Sequence, residues 1–235
     1  MMRHVKENTV YVIDHVDVRV RPGTLAYAEK NRMDIAQNWR RECDAKPTLF
    51  DGEIYLAPEA QLESGVFHAE FQRTSFATLM YWRRDAERER PWHIFGVGVV
   101  VSAEGHLLAA RMGDHSAVGG RVYFPAGSID DNDIFGDRVD YRANMQREVC
   151  EETGLDLGEA QAENSINLVT ANRSVALFRR YRFDLSTAEL LSRIHAHVAA
   201  QELPELAEII PFTHAQDLSD AMPSYVRAFT EWHFS

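Results

Sequence analysis

Apolar and polar positions alternate near the start of the chain, where Val10, Val12, Val16, Val18 and Val20 fall on one side of an extended segment interrupted by Asp14. A half-buried strand is expected there. After the turn Arg21-Pro22-Gly23, Thr24 is placed to cap a helix running to about Asp44, with Ile35, Ala36, Trp39 and Cys43 as its apolar stripe and Pro47 beyond its end. Residues 49–56 read as a turn into a strand, 66–72 as a strand and 75–84 as a short helix. The charged run Asp85-Ala86-Glu87-Arg88-Glu89-Arg90-Pro91 ends in proline and is expected as a linker. It would divide the chain into an N-terminal α/β extension, residues 1–90, and a main domain, residues 91–235.

Beyond that run, residues 97–101 and 106–112 read as two strands of a hairpin turning at Ala103-Glu104-Gly105. Gly119-Gly120 precedes a strand at 122–124. Pro125-Ala126-Gly127 and a polar loop then lead into a helix over 140–152, stopped by Gly154. Strands at 167–170 and 174–183, a helix over 186–201, a strand at 209–212 and a helix over 223–232 complete the pattern. Strands interleaved with helices place the chain in the α/β class.

Composition narrows the setting. With 45% hydrophobic and 26% charged residues, twelve Phe and four Trp in 235 residues, the chain has the makings of a folded core. No apolar run approaches the roughly 20 residues of a membrane span, and the N-terminus has no apolar signal core. A cytoplasmic location and no membrane partner are expected. Cys43 and Cys150 are too few for a disulfide framework and are expected to be reduced. The net charge of −11 disfavours a grip on nucleic acid, including an RNA end, because that affinity comes from neutralising phosphates. The same acidity suits bound divalent metal.

The segment Arg147-Glu148-Val149-Cys150-Glu151-Glu152-Thr153-Gly154-Leu155 concentrates the chemistry. On a helix Glu148, Glu151 and Glu152 stand at i, i+3 and i+4, so their side chains are expected on one face within a turn. Three crowded like charges repel unless a hard cation joins them, and oxygen donors select Mg²⁺ or Mn²⁺ over Zn²⁺. Arg147 can orient one of the carboxylates, and Gly154 lets the chain leave in a left-handed turn.

These nine residues resemble the second half of the signature of the Nudix hydrolase family. Gly120-x-Val122-x-Phe124-Pro125-Ala126-Gly127 is similar to the strand and loop before that family's helix, and Leu107-Leu108-Ala109-Ala110-Arg111 to its preceding strand; the resemblance covers about residues 93–215. The first half departs from the pattern. Where the family has Gly and Glu, this chain has Asp133 and Val139. With Gly127 as the family glycine, about six residues are inserted within 128–138, and Asp140 is the carboxylate expected to replace the missing Glu.

The resemblance implies an α/β/α sandwich around a mixed β-sheet, with residues 91–235 as the hydrolase domain and residues 1–90 covering the substrate cleft or building a homodimer interface. It also implies metal-dependent cleavage of a diphosphate linkage in a small-molecule nucleoside diphosphate derivative, giving a nucleoside monophosphate and a phosphorylated product. Glu148, Glu151 and Glu152, with the carbonyl of Ala126, would hold Mg²⁺ or Mn²⁺, which neutralises phosphate oxygens. Glu151, Glu152 or one of the later residues Glu202 and Glu205 would take the proton of water. Gly127, Arg111 and His115 are candidates for substrate contact. Pro125-Ala126-Gly127 and Leu49-Phe50-Asp51-Gly52 are similar to features of nucleotide-sugar hydrolases. The alternative is a catalytically idle Nudix fold that binds a nucleotide as a sensor or partner module. Outside the motif, His195 and His197 are expected at the surface, and Arg179-Arg180-Tyr181-Arg182 as a solvated sheet face.

Overall fold

The computed structural model describes residues 2–87, 90–116 and 118–235. The N-terminal part comprises β1 (Tyr11–Ile13), β2 (His15–Thr24), α1 (Ala26–Lys30), α2 (Arg32–Ala45), β3 (Glu53–Leu56), β4 (Ala60–Glu63), β5 (Val66–Ser75) and α3 (Phe76–Trp82). Next come β6 (His93–Val101), β7 (Leu107–Met112), β8 (Val122–Tyr123), β9 (Ile134–Phe135), β10 (Arg138–Val139) and α4 (Tyr141–Thr153). The chain ends with β11 (Gln161–Ala162), β12 (Ile166–Ala171), β13 (Ser174–Arg182), α5 (Thr187–Ala199), β14 (Leu206–Phe212) and α6 (Ser224–His233).

One sheet runs β1-β12-β13-β6-β7-β14, with β11 beside β13 and β8 beside β7; β13 and β6 pair in parallel and the other neighbours are antiparallel, so the sheet is mixed. Strand β6 explains the layers. Its residues Phe95, Val97, Val99 and Val101 pack with Val226 and Phe229 of α6 on one side. Ile94 and Val100 share the other side with Met145 and Val149 of α4 and Leu190 and Ile194 of α5. Period-two alternation therefore feeds two cores, giving the α/β/α sandwich that the family resemblance implied. The expected hairpin at 97–112 is joined close to its turn, at Val101–Leu107 and by the Ser102 N–H on His106 O; β6 then follows β13 while β7 follows β14.

The second sheet runs β3-β5-β2-β10-β9, with β4 beside β5, and it corrects the expected N-terminal strand. Residues 10–20 form two strands in different sheets, divided at Asp14. There the Asp14 N–H donates to Gly65 O at 2.8 Å, and the Asp14 carboxylate fills the space where a Cβ on Gly65 would stand. The alternation changes phase at this point: Val12 is 57% exposed, while Ile13 and Val18 are buried. The expected single helix over 24–44 is also divided, at Asn31, whose side-chain amide donates to Tyr27 O. Thr24 does not cap it; its hydroxyl donates to Glu29 instead. Ala36 is exposed, and Asn38 is buried where the apolar stripe was expected to continue.

The two sheets exchange strands across the expected linker. β1 pairs with β12, and β10, from the segment inserted after Gly127, pairs with β2. Phe67 and Phe71 of β5 share a core with Met145, Leu177 and Ile194. Within the charged run, Arg88 and Glu89 lie outside the described residues. Arg90 is buried, with its guanidinium over the Trp82 ring and hydrogen-bonded to Asn172. Among the described residues no helix is long and apolar enough to cross a membrane.

Candidate active site

Helix α4 carries the carboxylates, and its ends are fixed by local chemistry. The Asp140 carboxylate accepts from the N–H groups of Arg142 and Ala143, and Gly154, at φ 73°, closes the helix with its N–H on Cys150 O. The helix lies close on β6 because two strand positions lack side chains. A Cβ on Gly96 would come within 2.9 Å of Asn144, and one on Gly98 within 2.7 Å of Val149. This contact turns Glu148 and Glu152 inward toward the Ala126–Gly127 loop. The Glu148 carboxylate sits against the bare Cα of Gly127, and Glu152 accepts the Ala126 N–H at 3.3 Å.

The expected common face divides. The Glu148 side chain is 13% exposed and Glu152 is 7% exposed, whereas the Glu151 side chain is 62% exposed. At about 100° per residue, i+4 returns nearer to the starting direction than i+3, so Glu152 follows Glu148 inward and Glu151 lies to one side. Burial pushes Glu148 up to about 7; the Arg147 charge opposes that shift, and repulsion from Glu151, Asp133 and Glu205 adds to it. Glu152 is pushed well above the usual carboxylate range by burial and by Glu148 and Glu205, against the Ala126 hydrogen bond.

Arg147 is the hub of the cluster. It meets Glu148 at 2.7 Å, Glu151 at 3.4 Å and Asp133 at 2.9 Å, with Asp130 at 3.7 Å. Burial pulls its pKa down, but the Asp133 hydrogen bond and the surrounding carboxylates hold it above the ordinary arginine value. Asp133 therefore braces the signature arginine, and Asp140, expected in that part, only caps the helix. Asp133 is 1% exposed and also accepts from the Asn144 amide. Its position is set by a capping box in which Asp130 and Asp133 bond reciprocally to each other's backbone. The Asp-x-x-Asp spacing was the sequence signal for it.

The other expected residues are distributed unequally. Glu205 is exposed but near enough for its charge to act on both Glu148 and Glu152, and its carbonyl accepts the Gly113 N–H at 2.7 Å. Glu202 is exposed and is not brought into this cluster. Arg111 gives its guanidinium to Glu208 at 2.9 Å across β7 and β14, and His115 packs against Gly113. His195 is exposed as expected; His197 is not a plain surface residue, since it bonds to Glu151 O and packs on Gly154. Nor is the arginine strand fully solvated: Arg180 bonds to Glu163 and lies over the Trp232 ring.

A hard cation fits this donor chemistry. Two enclosed carboxylates repel each other beside a backbone loop; Arg147 offsets the charge of Glu148, and the Ala126 N–H supports Glu152. Among the described residues no three Asp, Glu, His or Cys side chains converge as a closed cage. Mg²⁺ commonly takes one or two carboxylates and completes its shell with water and substrate phosphate, so an open cradle suits it. Two surface grooves lie elsewhere, one by Asp14, Arg138 and Arg179 and one by Arg19, His68 and Asn172; neither is lined by Glu148 or Glu152.

No family model matches the chain, and no curated protein matches it. Among solved structures it is similar to a MutT protein from Methanosarcina mazei Go1, at 17% identity over 63% of this chain and 96% of that one, with a TM-score of 0.39. It is also similar to a bifunctional NMN adenylyltransferase/ADP ribose pyrophosphatase from Francisella tularensis, at 14% identity over 63% of this chain and 42% of that one (TM-score 0.40). A third is the NUDIX domain of Shewanella oneidensis NrtR, at 11% identity over 56% and 80% (TM-score 0.34).

Proposed function

We propose that the protein is a pyrophosphohydrolase that cleaves the diphosphate linkage of a nucleoside diphosphate derivative, with nucleotide sugars among the candidate substrates. The observation that carries this reading is the pair of enclosed, mutually repelling carboxylates, Glu148 and Glu152, on a signature helix held against the Ala126–Gly127 loop. Glu148 and Glu152, with the Ala126 carbonyl, would hold Mg²⁺ or Mn²⁺, and Glu151 stands at the open side. The metal supplies neutralisation of phosphate oxygens at the scissile linkage.

Arg147 fixes the Glu148 carboxylate and is itself fixed by Asp133, so binding needs little rearrangement. The Ala126 N–H holds the second carboxylate in place. Water oxygen adds to one phosphorus, the bridging P–O bond breaks, and the bridging oxygen leaves with the other phosphoryl group. Glu205, beside the cluster yet solvent-exposed, accepts the proton of that water. The products are a nucleoside monophosphate and a phosphorylated partner.

The test is a screen of nucleoside diphosphate derivatives with Mg²⁺ and Mn²⁺, with products identified by mass. Turnover that survives Glu152→Gln would refute the assignment. One observation favours a second reading, a nucleotide-binding module without turnover: Arg147 already occupies one side of Glu148, and the three glutamates do not converge. Nucleotide binding with no cleavage of any substrate in the screen would select it.

A further inference from the structure

A run of aromatic side chains joins the N-terminal part to the candidate active site. Ring centroids follow one another from Trp82 to His93 at 5.8 Å, His93 to Phe95 at 4.8 Å, Phe95 to Tyr225 at 5.7 Å and Tyr225 to Tyr123 at 6.4 Å. His93, Tyr123 and Tyr225 each keep some surface open to solvent. Protein nevertheless encloses them: burial raises both phenols and pushes His93 down to about 3. Side chains that are packed closely on several sides and yet keep open surface imply a cleft along this run.

The cleft is cationic at one end. Arg83, next to Trp82, is exposed on one side, and its guanidinium contacts the Met80 sulfur at 3.7 Å. Among the described residues no carboxylate forms an ion pair with it. Its charge reaches the Tyr123 and Tyr225 phenols and the His93 ring, and Arg121 acts on the same two phenols. The acid in its field, Glu42, is already bound to Arg84 at 2.6 Å. An arginine with no ion-pair partner among the described residues, in a chain of net charge −11, is a specific feature of this cleft. The same stretch meets helix α4: His93 contacts the Ser128 hydroxyl at 3.3 Å, and the preceding residue, Gly127, lies on the Glu148 carboxylate.

We propose that this cleft is the nucleotide subsite, in which the base lies on the Tyr123–Tyr225 pair and Arg83 donates to a phosphate oxygen. Flat aromatic faces accept any base by stacking, and a guanidinium matches phosphate geometry with charge-assisted hydrogen bonds. Residues 1–90 thereby contribute directly to recognition through Arg83. That the bound nucleotide is the substrate rests on the hydrolase reading above; that the cleft binds a nucleotide does not.

Calorimetric titration of the full chain separates the two ideas, using AMP, GMP, UMP, CMP, ribose 5-phosphate and inorganic pyrophosphate, none of which requires turnover. At least one nucleoside monophosphate should bind more tightly than ribose 5-phosphate. Arg83→Gln should weaken that binding about tenfold or more, with partial recovery in Arg83→Lys, and Tyr123→Leu should weaken it about fivefold. Thermal melts of each variant identify any that fail to fold. The proposal is overturned if no monophosphate binds, if ribose 5-phosphate binds equally well, or if folded Arg83→Gln and Tyr123→Leu leave affinity unchanged. Should either of the first two occur, or both variants be silent, while Glu152→Gln abolishes turnover, the subsite falls and the hydrolase stands. Should binding depend on Arg83 while no substrate is cleaved, the subsite stands and hydrolysis falls.

Discussion

Asp133 and Arg147 meet at 2.9 Å, with Asp133 enclosed and Arg147 carrying the contact onward to Glu148 at 2.7 Å. The brace of the signature arginine thus comes from the inserted segment. Asp133→Ala should cost about 3 kcal/mol by leaving Arg147 and Asn144 without their shared acceptor. Asp140→Ala removes only a helix cap and should cost about 1 kcal/mol. Denaturant unfolding of the two variants measures the difference, and equal losses would contradict the assigned roles.

Crowded carboxylates make a distinct prediction for metal. Mg²⁺ or Mn²⁺ should raise the melting temperature of the wild-type protein, because an ion that binds only the folded state stabilises it by mass action. Glu152→Gln should lose most of that rise while melting no lower than wild type without metal, since it removes a repelling charge. A metal-induced shift that persists in Glu152→Gln would place the ion elsewhere.

The approach of α4 to β6 depends on Gly98, where a Cβ would come within 2.7 Å of Val149 and 3.3 Å of Leu157. Gly98→Val should destabilise the fold by about 1–3 kcal/mol through overpacking. It should also lower turnover in protein that remains folded, because the helix carrying Glu148 and Glu152 is pushed away from Gly127. Unfolding curves and kcat measured on the same preparation check both effects.

His93 links stability to pH. Burial, with the Arg83 charge, holds its folded-state value at about 3, far below the 6.5 of a free imidazole. A depressed folded value means that the unfolded chain binds the proton more readily, so stability is full above about 6.5 and falls as pH drops below it. Between pH 6 and 5 the loss from this residue should be about 1 kcal/mol. His93→Phe should flatten that part of the stability profile; an unchanged slope would remove His93 as its source.

Part of this molecule was legible from local sequence because its causes are local. Asp140 and Gly154 mark the ends of α4, and the spacing of Glu148 and Glu152 brings both to the same side of the helix. Glu151 was expected with them, but helix spacing alone does not say where the neighbouring strand lies, and Gly96 and Gly98 set that direction. The break at Asp14 appeared in the pattern as an interruption; that its two sides enter different sheets depends on Gly65 and β12. Against the family pattern Asp133 is a mismatch, and its Asp-x-x-Asp spacing from Asp130 is the one local mark of its role. Its role comes from a loop folding back on α4, and the meeting of Arg83, His93, Tyr123 and Tyr225 likewise joins segments with no common local pattern.

The exchange of strands between the two sheets has a consequence for how the chain is made. β2 leaves the ribosome long before β10, its partner on one side, and β1 waits still longer for β12. Neither sheet can be completed from one end of the polypeptide, so the early strands expose unpaired edges until the C-terminal half arrives. Productive folding should therefore be largely post-translational, and nascent chains released early should be the aggregation-prone species.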